Sequence, residues 1–308
     1  MPVSQGMLFL LAFDHRSSFT RDLFGLRDAP TPAEAAQVSD AKTLIFEGFL
    51  RALERGTPGD AAGILVDEVF GAEVARRATA AGVTLAMPVE ASGRNVFDFE
   101  YGAAFGEHIE RFDPALVKVL VRYNPDDPAG NAEQTARLRT LSDWLRARGR
   151  QFLFELLVPA TEEQLASVNG DGGLYDRELR PNLVTRAIRE LQAADVEPDV
   201  WKIEGLDSRE DCIQVVKQAR AGGREAVRCI VLGRGANEAR VEQWLRTAAA
   251  VEGFYGFAVG RTIWMDPLLA YRHGDIESTT TVDQIADRYL RMIALYTSAR
   301  GTTDGDAT

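Results

Sequence analysis

Lysine is scarce in this chain, and where it sits is the first chemical signal. Of 35 Lys plus Arg residues only four are lysine: Lys42, Lys118, Lys202 and Lys217. Lys118 interrupts the apolar run from Ala115 to Val121, and Lys202 lies in Asp199-Val-Trp-Lys-Ile-Glu204. Both runs read as short buried strands. A chain that otherwise uses arginine for positive charge therefore places an amine at two positions where water is expected to be excluded. Arginine stays protonated in proteins, whereas a lysine in a dry pocket beside a second cation can lose its proton and attack a carbonyl. The pattern points to Schiff-base chemistry.

Such residues need elements to position them. Short apolar runs alternate with stretches of helical period. The strands are expected at Leu8 to Phe13, Gly63 to Val66, Thr84 to Met87, Leu116 to Val121, Phe152 to Leu157, Val200 to Ile203, Cys229 to Leu232 and Gly256 to Val259. Between them, Leu44, Ile45, Phe49 and Leu53 share one helical face, as do Leu138, Leu141 and Leu145. Eight strands each followed by a helix, with no Pro, Gly or Ser linker between halves, predict a single α/β domain, a (β/α)8 TIM barrel over residues 1–300. Val282, Ile285, Ala286, Tyr289, Ile293 and Tyr296 mark a last helix, and residues 301–308 read as a disordered polar tail. The long connection from Pro159 to Pro198, with Asn169-Gly-Asp-Gly-Gly173, is expected to make an irregular excursion that either covers a site or decorates the surface.

In a barrel of this kind the carboxyl ends of the strands and the loops after them line the active face. The expected strand ends carry Asp14-His15-Arg16, Asp67-Glu68, Glu90, Lys118, Glu155, Lys202 with Glu204, Gly233-Arg234-Gly235 and Gly260-Arg261. Side-chain alternation puts Lys202 and Glu204 on one strand face, so both charges can look inward while Ile203 faces the helices.

The order Asp14, Lys118, Glu155, Lys202 on strands one, four, five and six resembles the catalytic groups of class I aldolases of the (β/α)8 type. Leu11-Ala-Phe-Asp-His-Arg16, Leu65-Val-Asp-Glu68, Lys118-Val-Leu-Val-Arg-Tyr-Asn-Pro-Asp-Asp-Pro128, Trp201-Lys-Ile-Glu204 and Gly256-Phe-Ala-Val-Gly-Arg-Thr-Ile-Trp264 are similar to segments of the tagatose 1,6-bisphosphate aldolase family. They are more similar still to the aldolase-like domain that follows the sugar kinase in bacterial 5-dehydro-2-deoxygluconokinases, an enzyme of inositol catabolism. The resemblance spans about residues 7 to 300.

The resemblance implies retro-aldol cleavage of a phosphorylated ketose through an iminium, without a cofactor. Lys202 would be the nucleophile and Lys118 the neighbouring ammonium that disfavours its protonation. Moving an amine from ~10.4 to the ~7–8 useful at neutral pH takes roughly 3 units, about 4 kcal/mol, which burial and a like charge can supply. Glu155 is expected as the acid/base, its carboxyl raised toward the working range, and Asp14 as the group that orients substrate hydroxyls or the lysine pair. The phosphate is expected at Gly233, Gly260 and Arg261, with Arg234 as an addition, in loops that supply it in this fold. His15, Arg16, Asp67, Glu68 and Glu204 are the remaining candidate substrate contacts. The implied substrate is 5-dehydro-2-deoxy-D-gluconate 6-phosphate, split to dihydroxyacetone phosphate and malonate semialdehyde, whose carboxylate would need Arg16, Arg94 or Arg122. Tagatose or fructose 1,6-bisphosphate and a sulfo-sugar phosphate are the alternatives within the same mechanism.

Plainer readings stand beside these. The two lysines could form a structural ion network with Glu155 and Glu204, and Asp67, Glu68 and Glu90 serve equally as helix caps or substrate contacts. A sugar-phosphate sensor on the same barrel is the alternative from another functional class. His15, His108 and His273 have no paired spacing for zinc, so no metal is expected, although carboxylates could hold Mg²⁺. Cys212 and Cys229 suggest neither a disulfide framework nor a ligand set. A net charge of −11 argues against nucleic acid or anionic membrane as partners, and the lack of a signal-like or membrane-spanning run leads to the expectation of a cytoplasmic protein, with a homo-oligomer possible.

Overall fold

Runs of four to seven residues, too short for helices and apolar on both faces, become parallel strands shielded by helices outside and by one another inside. The computed structural model describes residues 6–304. Its strands are β1 (Leu8–Ala12), β2 (Ala62–Leu65), β3 (Thr84–Pro88), β4 (Leu116–Arg122), β5 (Gln151–Leu157), β6 (Val200–Glu204), β7 (Arg228–Leu232) and β8 (Phe254–Val259). They close in sequence order into an eight-stranded parallel barrel, the predicted (β/α)8 architecture.

The interior is built in layers. Ala12, Leu116, Leu153 and Val200 belong to an apolar cluster inside the barrel, separate from the larger core between barrel and helices. Two residues further along the same strand faces come Asp14, Lys118, Glu155 and Lys202. Glu155 pairs directly with Lys202 across β5 and β6, and with Leu120 across β4 and β5. The charged layer thus rests on an apolar plug, and water is excluded from beneath it.

The helices hold that layer in place. The helix Pro32–Glu54 starts well before the apolar stripe that announced it, because Thr31 and Glu34 form a capping box and Pro32 occupies the first turn. The last helix, Ser278–Asp304, runs past residue 300, where the polar tail was expected to begin; no proline stops it. Residues 305–308 of that expected tail lie outside the described residues.

The excursion after β5 is more ordered than its glycines suggested. It contains the helix Glu162–Ser167, a turn capped by Asp171, a π-helical turn Tyr175–Leu179 and the helix Arg180–Ala193. Tyr175 donates its hydroxyl to Val158 O at 2.8 Å, and the buried Arg180 donates to Gly205 O at 2.8 Å. These bonds tie the excursion to the ends of β5 and β6.

Candidate active site

At the carboxyl end of the barrel lies a cavity of about 430 Å³, lined among others by Asp14, Glu90, Lys118, Glu155 and Lys202. Three carboxylates converge on Lys118: Asp14 Oδ2 at 2.8 Å, Glu90 Oε1 at 2.7 Å and Glu155 Oε2 at 3.0 Å from Nζ. The other oxygen of Glu155 accepts from Lys202 Nζ at 2.8 Å. One carboxylate therefore bridges the two amines. Lys118 is 1 % and Lys202 4 % exposed, so these interactions are barely screened.

Electrostatics divide the carboxyls. Burial alone would raise Asp14 and Glu155, but the Lys118 and Lys202 ammoniums outweigh it and hold both below the ordinary carboxylate range. For Glu90 burial prevails over Lys118 and Arg16, and its carboxyl stays above that range. Burial would likewise depress Lys118, yet Asp14, Glu155 and Glu90 together hold it above the usual lysine range. His15, desolvated and facing Arg261 and Lys202, is pushed down to about 4 despite Asp14, and is neutral at pH 7.

Two expectations are corrected by this geometry. Lys118 is not a bare like charge beside Lys202, since three carboxylates offset it. Glu155 is not the raised carboxyl, because it touches both amines. The raised one is Glu90, which the sequence offered equally as a helix cap or a substrate contact. The clue was in the alternation: Ala86, Pro88 and Glu90 continue one inward face past the end of β3. A third lysine is buried as well. Lys42, on the helix Pro32–Glu54, donates to Phe13 O at 2.8 Å and His15 O at 2.9 Å and pairs with Asp67. All three of its protons are used, so its work is structural.

The other candidates separate cleanly. His15, Arg16, Gly233, Arg234, Gly260 and Arg261 line the cavity. Asp67, Glu68 and Glu204 do not. Asp67 caps the helix Glu68–Ala80 through Phe70 N at 2.9 Å while holding Lys42. Glu68 turns away to His108 at 3.0 Å. Glu204, expected to look inward with Lys202, accepts instead from Val158 N and Arg234 Nε, each at 2.9 Å, and serves the rim. Gly260 has a packing reason of its own: a Cβ there would stand 2.1 Å from Ala12 O. Arg234 adopts a left-handed backbone, φ 50°, an uncommon conformation for a residue with a side chain, and reaches Asp176 of the excursion at 2.6 Å.

The mouth suits anions at two places. The helices Ser17–Phe24 and Arg261–His273 both start without a side-chain cap, and Ser17, Ser18, Arg261 and Thr262 of their first turns line the cavity. Arg261 itself pairs with Asp22 at 3.2 Å but stays partly exposed. Arg94, in the turn after β3, and Arg122, at the end of β4, line the cavity as well; Arg122 donates to Arg94 O at 3.0 Å, and neither has a carboxylate partner among the described residues. Arg16 is committed, donating to Glu90 O at 2.7 Å and Glu100 Oε2 at 3.1 Å. Among the described residues no cluster of His, Cys, Asp and Glu is spaced to hold a metal ion, and no helix is long and apolar enough to cross a membrane.

Comparison with known proteins agrees with the fold. Fructose-bisphosphate aldolase from Plasmodium falciparum, solved in complex with TRAP and a small-molecule inhibitor, superimposes with a TM-score of 0.65 at 13 % identity, over 96 % of this chain and 92 % of that one. Fructose-bisphosphate aldolase from Slackia heliotrinireducens gives 0.57 at 15 % identity, over 91 % and 85 %. Cgl0159 from Corynebacterium glutamicum gives 0.57 at 18 % identity, over 94 % and 87 %. At such identities the likeness is one of fold, the (β/α)8 barrel. No functionally curated protein is significantly similar in sequence. Residues 3–300 match the family described as an uncharacterized protein conserved in bacteria, DUF2090, and the chain belongs to that family.

Proposed function

We propose that the protein is a class I aldolase that cleaves a phosphorylated ketose through a Schiff base on Lys202. The observation that carries this reading is the buried Lys202 amine, 2.8 Å from a carboxylate that also binds a second buried amine, facing a cavity with cationic walls. Lys202 adds to the ketone, the neighbouring Glu155 takes up a proton of that nitrogen as the carbinolamine forms and gives one to its hydroxyl, and the hydroxyl leaves as water while the nitrogen lone pair closes the iminium. The iminium then accepts the electron pair of the breaking carbon–carbon bond. Lys118 keeps Glu155 and Asp14 ionised and aimed into the cavity.

The substrate reading follows from the two anion sites. An open-chain ketose with its phosphate at Arg261 and the uncapped helix starts, and a second anionic group at Arg94 and Arg122, would span the mouth with its ketone over Lys202. 5-Dehydro-2-deoxy-D-gluconate 6-phosphate has this layout, with a carboxylate at the far end; the bisphosphates of tagatose and fructose and a sulfo-sugar phosphate have it too.

Incubation with dihydroxyacetone phosphate and borohydride, followed by peptide mass mapping, tests the reading. An adduct confined to Lys202, and its absence in Lys202→Arg, is the expected result. Unmodified protein under saturating ligand would favour a sugar-phosphate sensor, and an adduct on Lys118 would refute the assignment of roles. Triose phosphate release from each named ketose then ranks the substrates.

A further inference from the structure

Glu90 lies just beyond β3, in a segment that folds back on itself: Glu90 bridges to Phe99, Ala91 N donates to Asp98 O at 2.8 Å, and Glu100 N donates to Val89 O at 3.0 Å. Its backbone carbonyl is pinned by Arg16. The side chain is fixed as well, with Oε1 on Lys118 at 2.7 Å and Arg16 at 3.6 Å. Yet Oε2 is buried and has no hydrogen-bond partner among the described residues, in a residue that lines the cavity. An unpaired buried oxygen of this kind costs about 1–3 kcal/mol, and such a group is retained where a proton or a ligand completes it.

We propose that Glu90 is a catalytic residue that accepts, on Oε2, the proton of the substrate hydroxyl on the carbon that becomes the aldehyde. This rests on the Schiff-base reading above. Contacts connect Glu90 to Lys202 through Lys118 and Glu155, so Glu155 adjoins the amine and Glu90 is a cavity-lining carboxylate removed from it, the position this proposal gives to the hydroxyl beyond the cleaved bond. In the step, the carbon–carbon bond breaks and its electron pair moves into the iminium to give an enamine. The hydroxyl oxygen forms the carbonyl of the departing aldehyde, and its proton passes to the Glu90 carboxylate. Both oxygens of Glu155 are already engaged, one at the Lys202 nitrogen and one at Lys118. Glu90, with burial dominating over Lys118 and Arg16 and with Asp14 adding a like charge, is the more basic of the two.

Glu90→Gln keeps the shape and the Oε1 contact while removing the acceptor. The expected result is a split. Cleavage of the best substrate among 5-dehydro-2-deoxy-D-gluconate 6-phosphate and the tagatose and fructose 1,6-bisphosphates falls by ~100-fold or more in kcat. The borohydride adduct of dihydroxyacetone phosphate at Lys202, and exchange of that ligand's methylene protons with D2O, persist at the wild-type level. Glu90→Asp, which retains a carboxyl, recovers part of the cleavage. Unchanged cleavage in Glu90→Gln, or adduct and exchange lost in step with cleavage, would overturn the proposal, the second outcome marking a residue that only holds Lys118. Should Glu90→Gln not fold, equal kcat in Glu90→Asp and wild type would overturn it. If wild-type protein forms no adduct, the Schiff-base reading itself fails and takes this one with it.

Discussion

Lys118 and Lys202 look alike in sequence and differ in what surrounds them. Lys118 sits between three carboxylates in a buried layer, so Lys118→Met leaves those charges facing one another and is expected to destabilise the fold by ~3–5 kcal/mol, read from denaturant midpoints. Among the described residues Lys202 has one carboxylate partner, and Lys202→Met should cost less stability while removing the adduct. His15 provides a pH signature. Its pKa lies at about 4 in the folded protein against ~6.5 in an unfolded chain, so the unfolded state binds the extra proton as pH falls. The stability this supplies is complete above about pH 6.5 and is lost through about pH 4. Thermal melts of wild type should decline across that window, and His15→Asn should flatten the decline. An identical slope in both proteins would contradict a desolvated, neutral His15. Below that window the depressed Asp14 and Glu155 add their own loss as they are protonated.

The strands set the site by register, and the turns after them by close approach. Glu155 faces Lys202 because β5 and β6 pair at those residues; a slip by one would turn one of them out to the helices. Gly260 lets β8 pass under the end of β1, where Ala12 O leaves no room for a Cβ. Gly260→Ala is therefore expected to lower stability by ~1–3 kcal/mol, since the obstacle is backbone and cannot swing aside. Ligand binding should fall along with stability, because the same turn starts the uncapped helix Arg261–His273. A variant as stable as wild type but weak in phosphate binding would assign this glycine to the ligand alone. The excursion after β5 belongs to the same scale: Asp176 on its π-helical turn and Arg234 after β7 meet across the rim.

Across the whole molecule, a net charge of −11 coexists with a cavity mouth carrying Arg16, Arg21, Arg94, Arg122, Arg234 and Arg261. The global charge repels an anionic ketose, while the arginines attract it over a short range. In a concave mouth the local field dominates close to the site, and it is screened within the ~8 Å Debye length of physiological salt. For a doubly anionic substrate, kcat/KM is accordingly expected to fall as NaCl is raised. A rise with salt would mean that the global charge governs encounter. Arg94→Ala with Arg122→Ala should raise KM for substrates anionic at both ends and leave dihydroxyacetone phosphate binding unchanged, as measured by titration of each ligand.

Strand existence, order and inward face were legible in the chain itself because alternation and short apolar runs are local properties: Ala12 and Asp14, Leu116 and Lys118, Leu153 and Glu155, Val200 and Lys202 each announce an apolar residue followed by a charged one on the same face. The lysine scarcity marked the site for the same reason. Which charges meet is a property of barrel closure, which joins residues as far apart as Asp14 and Lys118. Closure set three carboxylates around one ammonium, drew Asp67 to Lys42 and Glu204 to Arg234, and left Glu90 with a buried, unpaired oxygen. A side chain's charge state depends on every partner and on the water it loses, and those are decided only when distant strands are brought together.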